Sequence, residues 1–283
     1  MSHPIADRES RRHTRVTWAV IFLVMLIAGA VPAQEQSRES MANDSTASQW
    51  SFQLAYEART WYDDIMSNGL PRPPGNKNMW QFRIVAPLSK EQSKIGIPVL
   101  PRLTFRNNEA VNGKSGSGNA ELFILGIAKE WSTGRFGIGP QINFPADEEQ
   151  FGTTAWRYGL ATAALQRAAA DKIMYGILIQ QVWGQTVKDS DATYADPITI
   201  QPVFNYALPK AWYLNIGETA LSYDWQTKEW LVPIGLRVGK LLITDKHTWN
   251  FYVEYRTSLI YKDWLGSALE NAVRLNVSYT IPI

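Results

Sequence analysis

Apolar and polar residues alternate along most of the chain beyond Gln49. Trp50, Phe52, Leu54 and Tyr56 fall on one side of a two-residue period, with Ser51, Gln53, Ala55 and Glu57 on the other. The same period returns where Trp80, Phe82 and Ile84 flank Gln81 and Arg83. It recurs where Ile95, Ile97, Val99, Leu103 and Phe105 alternate with Arg102, Thr104 and Arg106. Phe136, Ile138, Ile142 and Phe144 alternate with Gln141 and Asn143, and Ile198, Ile200, Phe204 and Tyr206 with Thr199, Gln201 and Asn205. Near the end, Phe251, Val253 and Tyr255 oppose Tyr252, Glu254 and Arg256, and Val273, Leu275 and Val277 oppose Arg274, Asn276 and Ser278. A period of two, with β-branched and aromatic residues on one side, describes strands with one greasy and one wet face.

Runs between turn residues predict twelve strands, beginning near Gln49, Asn78, Lys94, Asn119, Arg135, Ala155, Lys172, Pro197, Ala211, Glu229, Trp249 and Ala268. The run from Ala155 to Arg167 has the composition of a helix, since Ala and Leu are good helix formers. Its alternation of Trp156, Tyr158, Leu160 and Thr162 with Arg157 and Gly159 favours a strand. In the run from Lys172 to Gly184 neither face is cleanly polar. The connections run long then short. Arg59–Lys77, Asn107–Gly118, Ala146–Thr154 and Gln185–Asp196 are long, while Ser89–Ser93, Glu130–Gly134, Ala168–Asp171 and Leu208–Lys210 are short. Tyr223–Lys228 and Leu241–Thr248 break this rhythm. Tight turns at one end and longer loops at the other characterise transmembrane barrels. The expected fold is therefore all-β: a transmembrane antiparallel β-barrel of about twelve strands over residues 49–283.

The front of the chain differs. Arg8, Arg11, Arg12 and Arg15 precede an apolar stretch, Val16 to Ala30, and Val31-Pro32-Ala33 offers small residues for cleavage. Residues 1–33 read as a signal peptide cleaved near Ala33. Residues 34–48 are polar without periodicity and read as a flexible periplasmic segment.

Composition removes several chemistries. The 283 residues contain no Cys and three His, so thiolate metal sites, disulfides and Cys nucleophiles are excluded and little imidazole is left for catalysis. Beyond the leader that leaves His247, in a predicted turn, so no catalytic set, metal site or cofactor is expected. The net charge of +2 gives no reason to expect a nucleic-acid partner. Twelve Trp and twelve Tyr fit a membrane interface reached by strands. Every Lys beyond the leader falls in or beside a predicted connection, whereas the strand interiors use Arg on the polar phase.

That phase gives the candidate lumen lining: Arg83, Arg102, Arg106, Arg157, Gln201, Asn205, Arg237, Glu254, Arg256 and Arg274, with Glu57 and Glu121 as further carboxylates. Two readings stand. The arginines form an internal ion-pair network that fills a narrow barrel, or they line a constriction that favours anions. Trp50, Trp80, Trp156, Trp183, Trp212, Trp230 and Trp249 are candidates for an interfacial girdle, with an aromatic ligand track as the rival reading. The acidic run Asp147-Glu148-Glu149 reads as a solvated loop or as a divalent-cation site facing lipopolysaccharide phosphates.

Several stretches also resemble a family of Gram-negative outer-membrane β-barrels generally regarded as transporters. Relatives of that family lie beside phenol meta-cleavage genes, and some carry a mistaken neuromedin U label. The matching stretches, in order, are Gln81 to Leu88 (QFRIVAPL), Gly116 to Asn119 (GSGN), Phe136 to Pro140 (FGIGP), Ile200 to Pro209 (IQPVFNYALP) with Trp212-Tyr213-Leu214, and Trp230 to Lys240 (WLVPIGLRVGK). Asn119 stands where the family commonly has Asp, and the chain ends Ile281-Pro282-Ile283 without a terminal aromatic. The resemblance implies an outer-membrane address. The implied function is passive passage of small solutes, with organic anions or aromatic compounds among them. Outer-membrane lipid, lipopolysaccharide and the assembly machinery are the implied partners. A structural or adhesion barrel with a filled lumen, and a barrel lipid hydrolase, are the alternatives.

Overall fold

The computed structural model describes residues 36–44, 46–47, 49–72, 75–110, 114–184, 197–225, 227–264 and 267–282. The signal-peptide reading and the Gln185–Asp196 connection lie outside the described residues. A short helix, α1 (Arg38–Asn43), precedes fourteen strands. These are β1 (Gln49–Trp61), β2 (Gly75–Val85), β3 (Val99–Ala110), β4 (Ser115–Ser117), β5 (Glu121–Trp131), β6 (Gly134–Asn143) and β7 (Arg157–Ala168). They continue with β8 (Ile173–Gly184), β9 (Ile198–Leu208), β10 (Trp212–Asn215), β11 (Leu221–Asp224), β12 (Glu229–Ile243), β13 (Thr248–Ile260) and β14 (Leu269–Pro282).

Every pairing is antiparallel, and each strand joins its neighbour in sequence until β14 pairs with β1, from Gln49↔Pro282 to Glu57↔Arg274 and beyond. The sheet closes on itself. β4 only extends a loop against β3, and β10 and β11 are two halves of one wall position between β9 and β12. The wall therefore has twelve staves, at the places where the periodicity puts them. Closure removes both sheet edges and pairs the backbone groups that an apolar surrounding would leave unsatisfied.

Most short connections gather at one end, the turn end, although the β11–β12 connection, residues 225–228, stays short at the other. β5 passes to β6 through Ser132 and Thr133, β7 to β8 through Ala169–Lys172, and β9 to β10 through the 3-10 turn Pro209–Ala211. Two boundaries differ from expectation. The strand expected from Lys94 starts at Val99, because residues 86–98, punctuated by Pro87 and Pro98, form a longer connection than Ser89–Ser93. The irregular connection at Leu241–Thr248 shrinks to a tight turn, since β12 continues to Ile243, and that part of the rhythm is restored.

The two faces separate sharply. Val253 and Leu275 are 52% and 53% exposed, whereas their chain neighbours Glu254 and Arg274 are each 1% exposed. Leu236, Phe82, Phe105, Phe204 and Phe251 likewise cover the outside. This is the inverse of a soluble protein, and a cation placed near the middle of such a face in a bilayer costs about 2–4 kcal/mol. Inside, the barrel is divided. The side formed by β3, β5, β7 and β8 packs Leu100, Phe123, Leu125, Ile127, Ala161, Ala163 and Leu178 into an apolar cluster. This explains why β8 lacks a polar phase: its outer face meets the apolar exterior and its inner face meets this cluster. The opposite side, from β12 through β14 to β2, is charged.

Residues 34–48, read from the sequence as a flexible lead-in, contain α1, and α1 is fixed to the turn end. Its N-cap, Ser37, accepts a hydrogen bond from the Ser40 amide (3.2 Å), and the Ser37 amide donates to Asp171 Oδ2 (2.9 Å) in the β7–β8 turn. Six residues carry too little periodicity to register in sequence; contacts distant in the chain hold them instead.

Candidate functional site

Pairing register alone builds the charged side. Glu57 on β1 lies opposite Arg274 on β14, Arg274 opposite Glu254 on β13, and Glu254 opposite Arg237 on β12. Charge thus alternates along one row of rungs, the favourable cross-strand arrangement. Arg274 reaches Glu57 at 3.2 Å, Arg237 Nε donates to Glu254 at 2.8 Å, and Arg256 pairs with Glu254 at 2.8 Å and with Glu57. Arg59 also pairs with Glu57. With its amide oxygen turned inward, Gln81 accepts from Arg274 (2.7 Å) and Arg83 (3.1 Å).

Sequence reasoning misses the residue that completes this layer. Between β10 and β11 the chain leaves the wall at Ile216–Ala220 and carries Glu218 into the lumen. The Glu218 carboxylate accepts from Arg83 at 2.8 and 3.3 Å and lies 3.5 Å from Arg274 and 3.9 Å from Arg237. Its backbone is held too: the Glu218 amide donates to Glu254 (3.1 Å), and Arg256 donates to the Glu218 carbonyl (3.2 Å). Gly217 makes the turn possible. It sits at φ +75, and a Cβ there would lie 2.8 Å from Glu254 Cδ, so a side chain is excluded by both backbone and space.

Below the ion-pair layer, towards the turn end, lies a cavity of about 130 Å³. Arg83, Arg102, Arg237 and Glu218 border it on one side, and Ala42, Asn43, Asp44 and Ala47 of the α1 segment on the other. Gln53, Gln201, Asn215 and Asn250 supply polar walls, while Leu178, Val203 and Tyr252 supply apolar ones. Two guanidiniums lie over rings: Arg102 is 4.0 Å from the Phe123 centroid and Arg237 is 3.8 Å from that of Tyr252. Such stacking stabilises a cation while leaving its edge free for an anion. Tyr213 lies flat across Gly239, where a Cβ would come within 2.1 Å of the ring, and donates to Asn250 (2.8 Å).

The α1 segment closes the cavity. Ala42 packs on Tyr213, Leu241 and Tyr252. Arg135 donates to the Thr46 carbonyl (2.9 Å) and to Gln36 (2.7 Å) and pairs with Asp44 (3.6 Å). Arg38 binds the Thr244 and Asp245 carbonyls in the β12–β13 turn, and Gln49 donates to the Met41 carbonyl (2.6 Å). Anchors on β1, β6 and two separate turns place the helix across the mouth of the barrel.

The structure brings Arg83, Arg102, Arg237 and Gln201 to the cavity and Glu254, Arg256 and Arg274 to the ion-pair layer. Asn205 is buried in the wall opposite Asn215. Arg106 and Arg157 turn inward nearer the loop end, where Arg106 donates to the Asn119 carbonyl (3.0 Å). Asn119 itself donates to the carbonyls of Phe144 (2.8 Å) and Thr153 (2.7 Å), which a carboxylate could not do. All seven singled-out tryptophans point outward. Trp50, Trp212 and Trp249 lie near the turn end and Trp156, Trp183 and Trp230 near the loop end, whereas Trp80 sits mid-strand. Asp147 accepts from the Ser117 amide (2.7 Å), a loop contact, and His247 closes the β12–β13 turn beside Tyr279.

At the loop end, Arg72 ties two loops together by donating to Asp64 (2.9 Å) and to the carbonyls of Trp264 (2.7 Å) and Tyr261 (3.0 Å). Hydrogen bonds from Lys262 and Arg72 hold the Asp64 carboxyl below its ordinary value. A depressed carboxyl stabilises the clip fully above about pH 4 and loses that contribution as pH falls through the lower folded value.

No family model matches the chain, and no curated protein matches it. Among solved structures, the chain is similar to an outer membrane channel from Pseudomonas putida F1, at 13% identity over 88% of this chain and 99% of that one, with a TM-score of 0.57. Outer membrane phospholipase A from Escherichia coli aligns at 12% identity over 87% of this chain and 98% of that one, with a TM-score of 0.48. The first likeness shows the fold, that of an outer-membrane β-barrel.

Proposed function

We propose that this chain is an outer-membrane channel for small solutes, held closed in the conformation described. The observation that carries this reading is the polar cavity inside the barrel, walled by Arg83, Arg102 and Arg237 and stopped at its mouth by a separate, non-strand segment. A barrel kept only as a scaffold has no need of a removable stopper. The turn end then faces the periplasm and the loop end the exterior, as short turns do in such barrels. The two rows of tryptophans serve as anchors at the bilayer interfaces, and lipopolysaccharide meets the loop-end rim. His247 lies at the periplasmic turn, away from outer-leaflet lipid, which favours passage over lipid hydrolysis.

Inward charge sets the selectivity. Arg59, Arg83, Arg102, Arg106, Arg157, Arg237, Arg256 and Arg274 face Asp44, Glu57, Glu121, Glu218 and Glu254, an excess of cations in a low-dielectric enclosure. Anions are therefore preferred over cations of equal size. Relative to protein-free liposomes, those containing the purified chain gain more swelling rate in benzoate than in the isosteric neutral benzyl alcohol or in cationic benzylamine. Equal rates for all three contradict the selectivity, and no swelling from an intact barrel, with or without its N-terminal segment, contradicts the channel. A filled structural barrel is the second reading, favoured by the ion-pair layer and the apolar cluster inside the wall; it predicts that last outcome.

A further inference from the structure

The break at Ile216–Ala220 is written into both neighbouring strands. On β9 the rungs stop at Asn205↔Asn215 and resume at Ile200↔Leu221; on β12 they stop at Arg237↔Asn215 and resume at Leu231↔Ser222. The segment is one residue longer than either gap requires. In an antiparallel ladder a residue aims its N–H and C=O to the same side, and successive residues alternate. The Ile216 amide donates to the Phe204 carbonyl (3.3 Å), so Phe204 and, two residues away, Pro202 face the gap. Ile216 facing β9 turns Asn215 towards β12, so Arg237, Gly235 and Pro233 face the gap from the other side. Each flanking strand thus places a proline, which has no N–H, at one gap-facing position, so movement of the segment leaves fewer donors to re-satisfy, those of Phe204 and Gly235.

What the segment carries is a carboxylate, and what it rests on is a cluster of guanidiniums beside a cavity. We propose that Arg83, Arg237 and Arg274 form a binding site for small organic monocarboxylates, and that Glu218 is a tethered occupant that such a solute displaces. Guanidiniums match a carboxylate by their forked donors, and Arg83 already grips Glu218 by two nitrogens. The adjoining cavity supplies Tyr252, Leu178 and Val203 for an apolar body on the incoming acid. Displaced, Glu218 gives up its ion pairs to Arg83, Arg237 and Arg274 while Gly217 and the interrupted ladder absorb the backbone change. The site rests on the channel reading and names the solute class that the passage would take.

The test uses the full chain in detergent, with benzoate as the probe and benzyl alcohol as its neutral counterpart. Glu218→Gln and Glu218→Ala remove the competing carboxylate, and a tethered occupant present most of the time lowers apparent affinity by roughly 10–100-fold. Both variants therefore bind benzoate tighter by that factor in calorimetry, with no change for benzyl alcohol, and Arg83→Met added to Glu218→Gln removes the gain. Wild-type affinity in both variants, with heat-modifiable mobility showing intact barrels, overturns the proposal. An independent arm needs no change at Glu218. Because the chain has no Cys, Ala220→Cys supplies a single thiol, whose maleimide labelling rises with benzoate and not with benzyl alcohol. Unchanged labelling at saturating benzoate likewise overturns it. Binding in detergent does not require conduction, so a binding gain without flux removes the channel reading alone, and flux without a binding gain removes this site alone.

Discussion

Replacing residues 36–47 with a Gly/Ser stretch of equal length converts rare, brief openings in planar bilayers into a long-lived conducting level. The reason lies in how α1 is held. Its contacts with Asp171, Arg135, Gln49 and the Thr244–Asp245 carbonyls reach four parts of the barrel, and Ala42 covers the apolar floor made by Tyr213, Leu241 and Tyr252. A net hydrogen bond contributes about 0.5–1.5 kcal/mol, and those to charged groups contribute about 1.5–3. Several together keep the mouth closed well over 99% of the time, since a 99:1 ratio corresponds to only about 2.7 kcal/mol. Arg135→Met alone, which removes two hydrogen bonds and the Asp44 pair, raises open probability about tenfold, the factor that corresponds to about 1.4 kcal/mol. The ion-pair layer stays in place, so adding Glu218→Ala raises the conducting level further. An unchanged closed state after removal of the segment refutes its role as stopper.

The second large effect concerns Arg274. It is 1% exposed, lies between Glu57 and Glu218, and sits opposite both Glu57 and Glu254 in register. Arg274→Met keeps much of the side-chain volume but leaves carboxylates buried with one cation fewer. Breaking a buried pair in this way costs about 3–5 kcal/mol. Urea unfolding in lipid vesicles, followed by tryptophan emission, reads that loss as a lowered midpoint. Glu57→Gln destabilises comparably, because it removes the carboxylate that Arg59, Arg256 and Arg274 share. The double variant loses less than the sum of the two, as residues of one network do. Full additivity would mean that the two side chains act independently, against the contact between them.

Periodicity made the wall legible. Where one face meets an apolar surrounding and the other a charged lumen, as at Val253 beside Glu254 and Leu275 beside Arg274, alternation specifies both strand and phase. β8 blurred because its inner residue Leu178 belongs to an apolar cluster assembled from four strands, which no local window contains. Glu218 was hidden by phase. Tyr213 and Asn215 point inward, so an unbroken strand would send residue 218 outward, and the bulge at Gly217 reverses that. Pro202 and Pro233 were visible in the sequence, yet their meaning depends on knowing which strands flank residues 216–220. The α1 segment left no trace, since its stability is tertiary.

All of this depends on odd and even side chains meeting different solvents. The absence of cysteine allows single spin labels at Phe251, Tyr252, Val253, Glu254, Leu275 and Asn276, with accessibility to molecular oxygen and to a polar nickel chelate measured in vesicles. The account predicts high oxygen and low nickel contact at Phe251, Val253 and Leu275, and low oxygen contact at Tyr252, Glu254 and Asn276. Equal accessibility at successive positions, or nickel contact at the three apolar ones, would contradict it.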